Sequence, residues 1–296
     1  MRTGAPAVPA GPGPGAASAS APDELKRRFE RLRQVPALPR LIERVVAALD
    51  DPEIDLARVG DLIEVDQALT SQILRLANSA FYGAQGRTAH VAPALLLLGA
   101  TVTRSVVLTS AVLDLRHVGV RGFWEHSIGC AVAAGALAKV TGLVPPEEAS
   151  AAGLLHDLGK VVLFRELPDA FAQVVDGARA QGRSFRELER ELLGTDHCEI
   201  ATWLTSRWSF PPEIGEPIAL HHAPARARRA PDHVAIVHLA DVLVRAIGFG
   251  NGGDDLVPAI DATAWGRLGL SATKLDDVLD QFDRDLDQAL NYALLE

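Results

Sequence analysis

The sequence calls for an all-α protein built as two successive helical lobes, and three features lead there. Apolar residues recur at three- and four-residue spacing from Leu25 to Leu294, which is the period of one helix face. Proline and glycine cut the pattern into helix-sized pieces at Leu38-Pro39, Asp51-Pro52, Pro145-Pro146, Leu167-Pro168, Gly194 and Pro211-Pro212. No stretch shows the alternation of a half-buried strand, and neither a repeat nor a phosphate-binding glycine fingerprint occurs.

Residues 1–20 are Ala, Pro, Gly and Ser with almost no large apolar side chains, too little to offset the entropy of ordering, so they read as a flexible tail. The first lobe is expected over residues 21–118. Its first helix starts after Pro22 with Leu25, Phe29 and Leu32 on one face, and a second carries Leu41, Val45, Val46 and Leu49. Leu56, Val59, Leu62 and Ile63 mark a third. Asp66 is placed to cap a fourth that holds Leu69, Ile73, Leu76 and Ala77 and ends at Asn78-Ser79, ahead of Phe81-Tyr82-Gly83. Two further helices cover 91–99 and 103–115.

The second lobe spans 119–262. A helix over 124–139 is apolar nearly all round, and its small residues allow close backbone approach. Glu147-Glu148 suit the first turn of the next helix, which runs through Gly153-Leu154-Leu155-His156-Asp157-Leu158-Gly159-Lys160 toward Phe164, with Gly159 weakening it. Two amphipathic helices follow. Asp196-x-x-Glu199 then has the form of a capping box and puts His197 in a first helical turn. A short helix after Pro212 ends at His221-His222. Asp232 is read as the cap of the apolar segment 234–247, and 248–255 is a glycine-rich loop. Residues 263–296 form a C-terminal extension whose helix, from Leu275 to Leu294, either docks on its own lobe or pairs with a second chain.

Composition narrows the functional classes. With 48% hydrophobic residues among 296, the chain can bury a sizeable core. Its 38 acidic against 29 basic residues give a net charge of −9, which argues against a broad nucleic-acid or anionic-membrane footprint. The three arginines of 226–229 read as a solvated loop. Cys130 and Cys198 make no disulfide framework and fit a reducing cytoplasm. No signal peptide is evident, and the longest apolar runs, such as Val91 to Ala100 with Pro93 inside, are too short to cross a bilayer.

The chemistry is concentrated at His156-Asp157. A carboxylate among leucines loses more hydration than packing returns, so a cation, Lys160 or other polar groups must face it. The candidate ligands are His126, His156, Asp157, His197, His221, His222 and Asp241. Imidazoles and carboxylates of this kind can hold one or two divalent transition ions, with Asp157 or Asp241 able to bridge a pair. The competing reading makes the histidines caps or backbone partners and neutralises Asp157 with Lys160 and Asp241 with Arg245. His90, His117, His233 and His238 are expected in loops, caps or core, His238 being the one able to approach the same pocket.

At these residues the chain resembles the HDOD family, the HD-related output domain of bacterial signalling. The resemblance covers about residues 22–250 and is carried by Leu38-Pro39, Asp66, Leu74 to Ser79, Trp124-Glu125-His126-Ser127, residues 153–160, Asp196-His197, Trp208 with Pro211, His221-His222 and His238-Leu239-Ala240-Asp241. It implies a two-lobed helical fold and a regulatory or interaction role in signal transduction in the cytoplasm. A signalling protein is the implied partner, with a homodimer or a nucleotide or phosphate-ester ligand as further expectations. His126, His156, Asp157 and Asp241 fall at core ligand positions of the wider HD superfamily, and His197, His221 and His222 at the additional histidines of the HD-GYP phosphodiesterases. The implied cofactor is one or two divalent ions of iron, manganese, nickel or zinc. The alternative activity is metal-dependent hydrolysis of a phosphate ester or cyclic dinucleotide, with Asp157 catalytic and Lys160 at a substrate phosphate. Two departures stand out: Gly122 replaces a ligand Glu of some of those enzymes, and Ala223-Pro224-Ala225-Arg226 replaces their acidic and Gly-Tyr-Pro loop.

Overall fold

A computed structural model describes residues 39–51, 56–78, 88–110 and 119–293, with side chains to residue 286. The expected tail, the helix after Pro22 and the run Ser79 to Gly83 lie outside the described residues, as do residues 111–115 of the helix expected over 103–115. Among the described residues every regular element is helical, so the all-α expectation holds.

Helix α1 (Arg40–Leu49) begins directly after Pro39 and buries Ile42, Val45, Val46 and Leu49, one stripe at helical spacing. Helix α2 (Leu56–Glu64) buries Val59 and Ile63. Helix α3 (Gln67–Ala77) is capped by Asp66, which accepts from the Leu69 amide at 2.9 Å. At its other end the Asn78 amide group donates to the Thr88 carbonyl at 2.9 Å and accepts from the Thr88 amide at 2.7 Å.

Helix α4 (Val91–Ser110) joins the two segments expected separately, and the join is a kink: Gly99 has φ 73° and ψ 168°, outside helical geometry. At 20 residues it is long and apolar enough to cross a membrane by length and composition, more than its separate apolar runs indicated. It packs against α1, α2 and α3, burying Val91, Ala94, Leu95 and Leu98 before the kink and Val102, Val107 and Leu108 after it.

Helix α5 (Phe123–Thr141) is buried along most of its length, and α6 (Pro146–Leu155) lies closely against it. The helix expected to run continuously through His156 and Asp157 is in fact two helices. The helix breaks there, and α7 (Leu158–Glu166) starts afresh, with Asp157 at φ −93°, ψ 19° between the two. The break turns the Asp157 carboxylate inward rather than leaving it on a uniform apolar face.

Helices α8 (Pro168–Gln181), α9 (Phe185–Leu193), α10 (His197–Arg207) and α11 (Pro212–Leu220) follow. Asp196 caps α10 by accepting from Glu199 N at 3.0 Å, whereas the Glu199 carboxylate bonds to Thr195 Oγ1, so only half of the expected capping box forms. Helix α12 (Pro231–Ala246) starts before its expected cap: Ala230 precedes it, and Asp232 pairs with Arg267 instead. A short helix, α13 (Ala262–Leu268), is capped by Asp261.

Helix α14 (Ala272–Ala293) packs on α5 of its own chain through Val278 and Phe282, with Lys139 bonding Asp285 at 2.8 Å. Apolar residues gather in two cores. One joins α1–α4 to α6–α11, and the other holds α5, α12, α13 and α14 together.

Candidate metal centre

Five chain segments deliver the polar residues to one place: α5 His126, the α6–α7 break His156 and Asp157, the start of α10 His197, the end of α11 His221 and His222, and α12 Asp241. All are buried to 2% exposure or less except His222, which keeps partial exposure. The approach of α7 to α10 depends on Gly159, because a Cβ there would stand 1.9 Å from the His197 carbonyl oxygen.

The two oxygens of Asp157 face different groups. Oδ2 lies 3.3 Å from His156 Nε2 and 3.9 Å from His126 Nε2, while Oδ1 lies 3.5 Å from His197 Nε2 and 3.9 Å from His221 Nε2. On the Oδ2 side, His126 Nε2 is also 3.3 Å from Asp241 Oδ1. On the Oδ1 side, the His222 ring stands 4.1 Å from His221 and 5.2 Å from His197, centroid to centroid. In each of three groups, His126–Cys130–His156–Asp241, His156–Asp157–His221 and His197–Cys198–His221–His222, the donor atoms lie within 4.8 Å of one another.

The histidine rings are held from behind. Nδ1 of His156 donates to the Gly153 carbonyl at 2.7 Å, Nδ1 of His221 faces the Pro217 and Ile218 carbonyls at 3.2 Å, and Nδ1 of His197 meets Glu189 Oε2 at 2.6 Å. Each ring therefore turns Nε2 inward, an arrangement that orients imidazole for a metal. Glu189, fully buried and also accepting from the His197 amide, was not among the sequence candidates. Its signal was present: it lies four residues after Phe185, on the buried face of α9, where an acidic residue needs a partner.

A metal fits these residues. Among the described residues, five buried side-chain N or O atoms lack a hydrogen-bond partner, and four of them, Asp157 Oδ1, His197 Nε2, His221 Nε2 and Asp241 Oδ1, converge here. Such atoms are costly to leave unmatched. Two donors at about 2.1 Å from one tetrahedral ion stand about 3.4 Å apart, close to the 3.3 and 3.5 Å spacings.

Charge is tuned in the same direction. Burial raises the Asp157 carboxyl, but His156 and Lys160 outweigh it and hold the group well below the usual carboxylate range. Asp241 is also held well below, burial being overcome by His126. Burial pushes His221 and His222 well down, so both are neutral donors near pH 7. Two histidines go the other way: burial opposes the charge of each, but Asp157 carries His156 above the ordinary value and Glu189 carries His197 well above it.

Lys160 bonds Asp157 Oδ2 at 2.7 Å, which leaves Oδ1 open. The expected Asp241–Arg245 pair does not form as a contact: Arg245 turns to Asp254 and to the Leu256 carbonyl. His238 stays outside the cluster, its Nδ1 donating to the His221 carbonyl at 2.7 Å and its Nε2 accepting from Asp261 N at 2.9 Å, so it braces the end of α11. The two cysteines adjoin the centre. Cys130 Sγ lies 3.6 and 3.9 Å from the two ring nitrogens of His126, beside the ring rather than in line with either, and burial pushes its thiol well up.

The fold and the site together define an all-helical protein in which histidines and aspartates from separate helices close on a His-Asp pair. The match to a family model is specific: residues 35–224 match the HDOD domain, and the chain belongs to that family of signal-transduction modules, with a cluster suited to metal retained. An HDOD domain protein of unknown function from Geobacter sulfurreducens superposes with a TM-score of 0.66 at 30% identity, covering 90% of this chain and 96% of that one. A protein assigned to signal transduction from Marinobacter aquaeolei VT8 gives 0.68 at 22% identity, over 93% of this chain and 65% of that one, and shows the fold alone. An uncharacterized protein of Treponema pallidum is 26% identical over 199 residues, 65% of this chain and 38% of its own length, so the chain matches well under half of that relative.

Proposed function

We propose that the chain is a cytoplasmic regulatory module whose HD-like centre holds one or two divalent transition ions and works as a sensing or interaction core without physiological hydrolysis. His126, His156 and Asp241 would hold one ion with Asp157 Oδ2, and His197, His221 and His222 a second with Asp157 Oδ1. Iron, manganese, nickel and zinc all suit this donor set. Residues 21–118 would form the N-terminal lobe and docking surface for a signalling partner, 119–262 the HD-like lobe, and 263–296 its extension, after the tail 1–20. A homodimer is compatible with this role.

The observation that carries the regulatory reading is closure. The inward donors are sealed from solvent apart from His222, and the Lys160 ammonium beside the His-Asp pair is taken up by Asp157 and by the Gly252 carbonyl, each at 2.7 Å. A second reading, metal-dependent hydrolysis of a phosphate ester or cyclic dinucleotide, draws on the same donors. Bound divalent ions supply a lowered water pKa and a clamp on phosphoryl oxygens. In that reading Asp157 orients the attacking water and Lys160 receives a phosphoryl oxygen.

The test is metal analysis of untagged protein grown with each metal, alongside His156→Ala and Asp157→Ala, followed by assay of mono-, di- and cyclic phosphate esters. We expect bound metal in the parent, loss in both variants and no turnover. Metal near zero under every supplement removes the metal centre. Turnover abolished by Asp157→Ala replaces the regulatory reading with the hydrolytic one.

A further inference from the structure

The segment that follows α12 closes the centre from outside, and two cations hold it. Lys160 donates to the Gly252 carbonyl at 2.7 Å, Arg245 Nε donates to the Leu256 carbonyl at 2.7 Å, and Arg245 Nη2 pairs with Asp254 Oδ1. The side chains of Lys160, Arg245 and Asp254 are 3%, 8% and 4% exposed. Asp254 Oδ2 also accepts from Phe185 N at 2.7 Å, and Asn251 N donates to Gly122 O at 2.9 Å.

The segment lies as bare backbone against the centre. A Cβ on Gly252 would stand 3.2 Å from His126 Nε2 and 3.6 Å from Arg245 Nη1, so the guanidinium and a candidate metal ligand meet across this one residue. Gly250, at φ +72°, would place a Cβ 2.1 Å from the His126 amide nitrogen, and only glycine permits that approach. Gly122, where a larger side chain would crowd Asn251, leaves room for it. On the other side Asp255, Leu256 and Val257 face solvent, so the closure is about one chain thick.

An ammonium and a guanidinium that converge beside divalent-ion donors form a site for a phosphoryl group, whose oxygens accept from both. Here three oxygens of the chain, those of Gly252, Asp254 and Leu256, take that place. We infer that residues 251–256 are an internal occupant of a phosphoryl-binding site made by Lys160 and Arg245, and that a phosphorylated ligand enters by displacing them. This rests on the reading of the centre above for its ligand class, and it names the input of the module: binding exchanges the Asp254 carboxylate for phosphate and frees a glycine-rich segment, which gains backbone entropy on release.

The experiment is calorimetric titration of the full-length protein with inorganic phosphate, for the parent, Asp254→Ala and Asp254→Ala combined with Arg245→Gln, with amide exchange of residues 251–256 followed in the parent. Removing the competitor raises the fraction of open site, so Asp254→Ala should bind phosphate about tenfold tighter or more. The added Arg245→Gln should cancel the gain, and phosphate should speed exchange of those amides. Asp254→Asn, which removes the charge and keeps an acceptor, serves if the alanine variant does not fold. Binding no tighter in either Asp254 variant, a gain that survives Arg245→Gln, or unchanged exchange in phosphate-bound protein overturns the inference. Metal content of the same samples separates the two readings: metal retained without any gain removes only this inference, and a gain without metal removes only the metal centre.

Discussion

Glu189 meets His197 through a 2.6 Å contact between Oε2 and Nδ1, and this fixes Nε2 of His197 on the open oxygen of Asp157. A buried carboxylate behind a ligand histidine sets both its orientation and its basicity. Glu189→Gln should therefore weaken metal binding by about 10–100-fold while leaving the fold intact. Competition titration against a chromophoric chelator checks this, with circular dichroism as the control. Unchanged affinity would make the pair purely structural.

The same contact predicts proton release. Glu189 raises His197 well above its ordinary value, so in metal-free protein the ring is charged below that raised value and loses its charge as pH rises through it. A metal at Nε2 must displace the proton. Loading near pH 7 should release it, affinity should climb as pH rises, and Glu189→Gln should release less. Calorimetry in two buffers of different ionisation enthalpy counts the protons.

Asp157→Ala should cost about 3–5 kcal/mol even with chelator present, because it strips a buried ammonium of its charged partner. Lys160 would keep only the Gly252 carbonyl among its hydrogen bonds. Adding Lys160→Met should recover most of the loss. Urea denaturation in chelator measures both, and a mild single-variant effect would mean that Lys160 finds water.

Gly159→Ala would drive a methyl group against the His197 carbonyl, and overpacking on backbone costs about 1–3 kcal/mol or more. The contrasting change is Gly266→Ala in α13, where a Cβ meets nothing within 4 Å and helix propensity favours alanine by up to about 1 kcal/mol. Thermal melts of the two should shift in opposite directions.

Removing metal should loosen the whole assembly, since the donors come from separate helices. At a free metal level about 1,000 times Kd the bound state gains about 4 kcal/mol, so chelation should lower the melting temperature by several degrees. An unchanged melt would show that the centre carries no ion.

Much of the fold was legible because helices announce themselves locally. The stripe Val45, Val46 and Leu49, the cap at Asp66 and the stop at Asn78 are decided within a few residues. The errors were local as well. Asp232 has a capping side chain but sits inside a helix that Pro231 had already started. The helix through His156-Asp157 looked continuous because nothing nearby in sequence shows the inward pull on Asp157.

For the site, the sequence by itself could name residue types that do not belong among leucines: Asp157, Asp241 and the histidines near them. Burial makes such residues costly, and that can be read without coordinates. The choice of partner depends on which helices meet, and only tertiary structure decided it. It sent Arg245 to Asp254 rather than Asp241, brought Glu189 behind His197, split the oxygens of Asp157 between two groups of imidazoles and laid Gly252 over Lys160. Those contacts join residues up to 92 positions apart, a range at which periodicity and spacing carry no information, whereas packing of the helices fixes each distance.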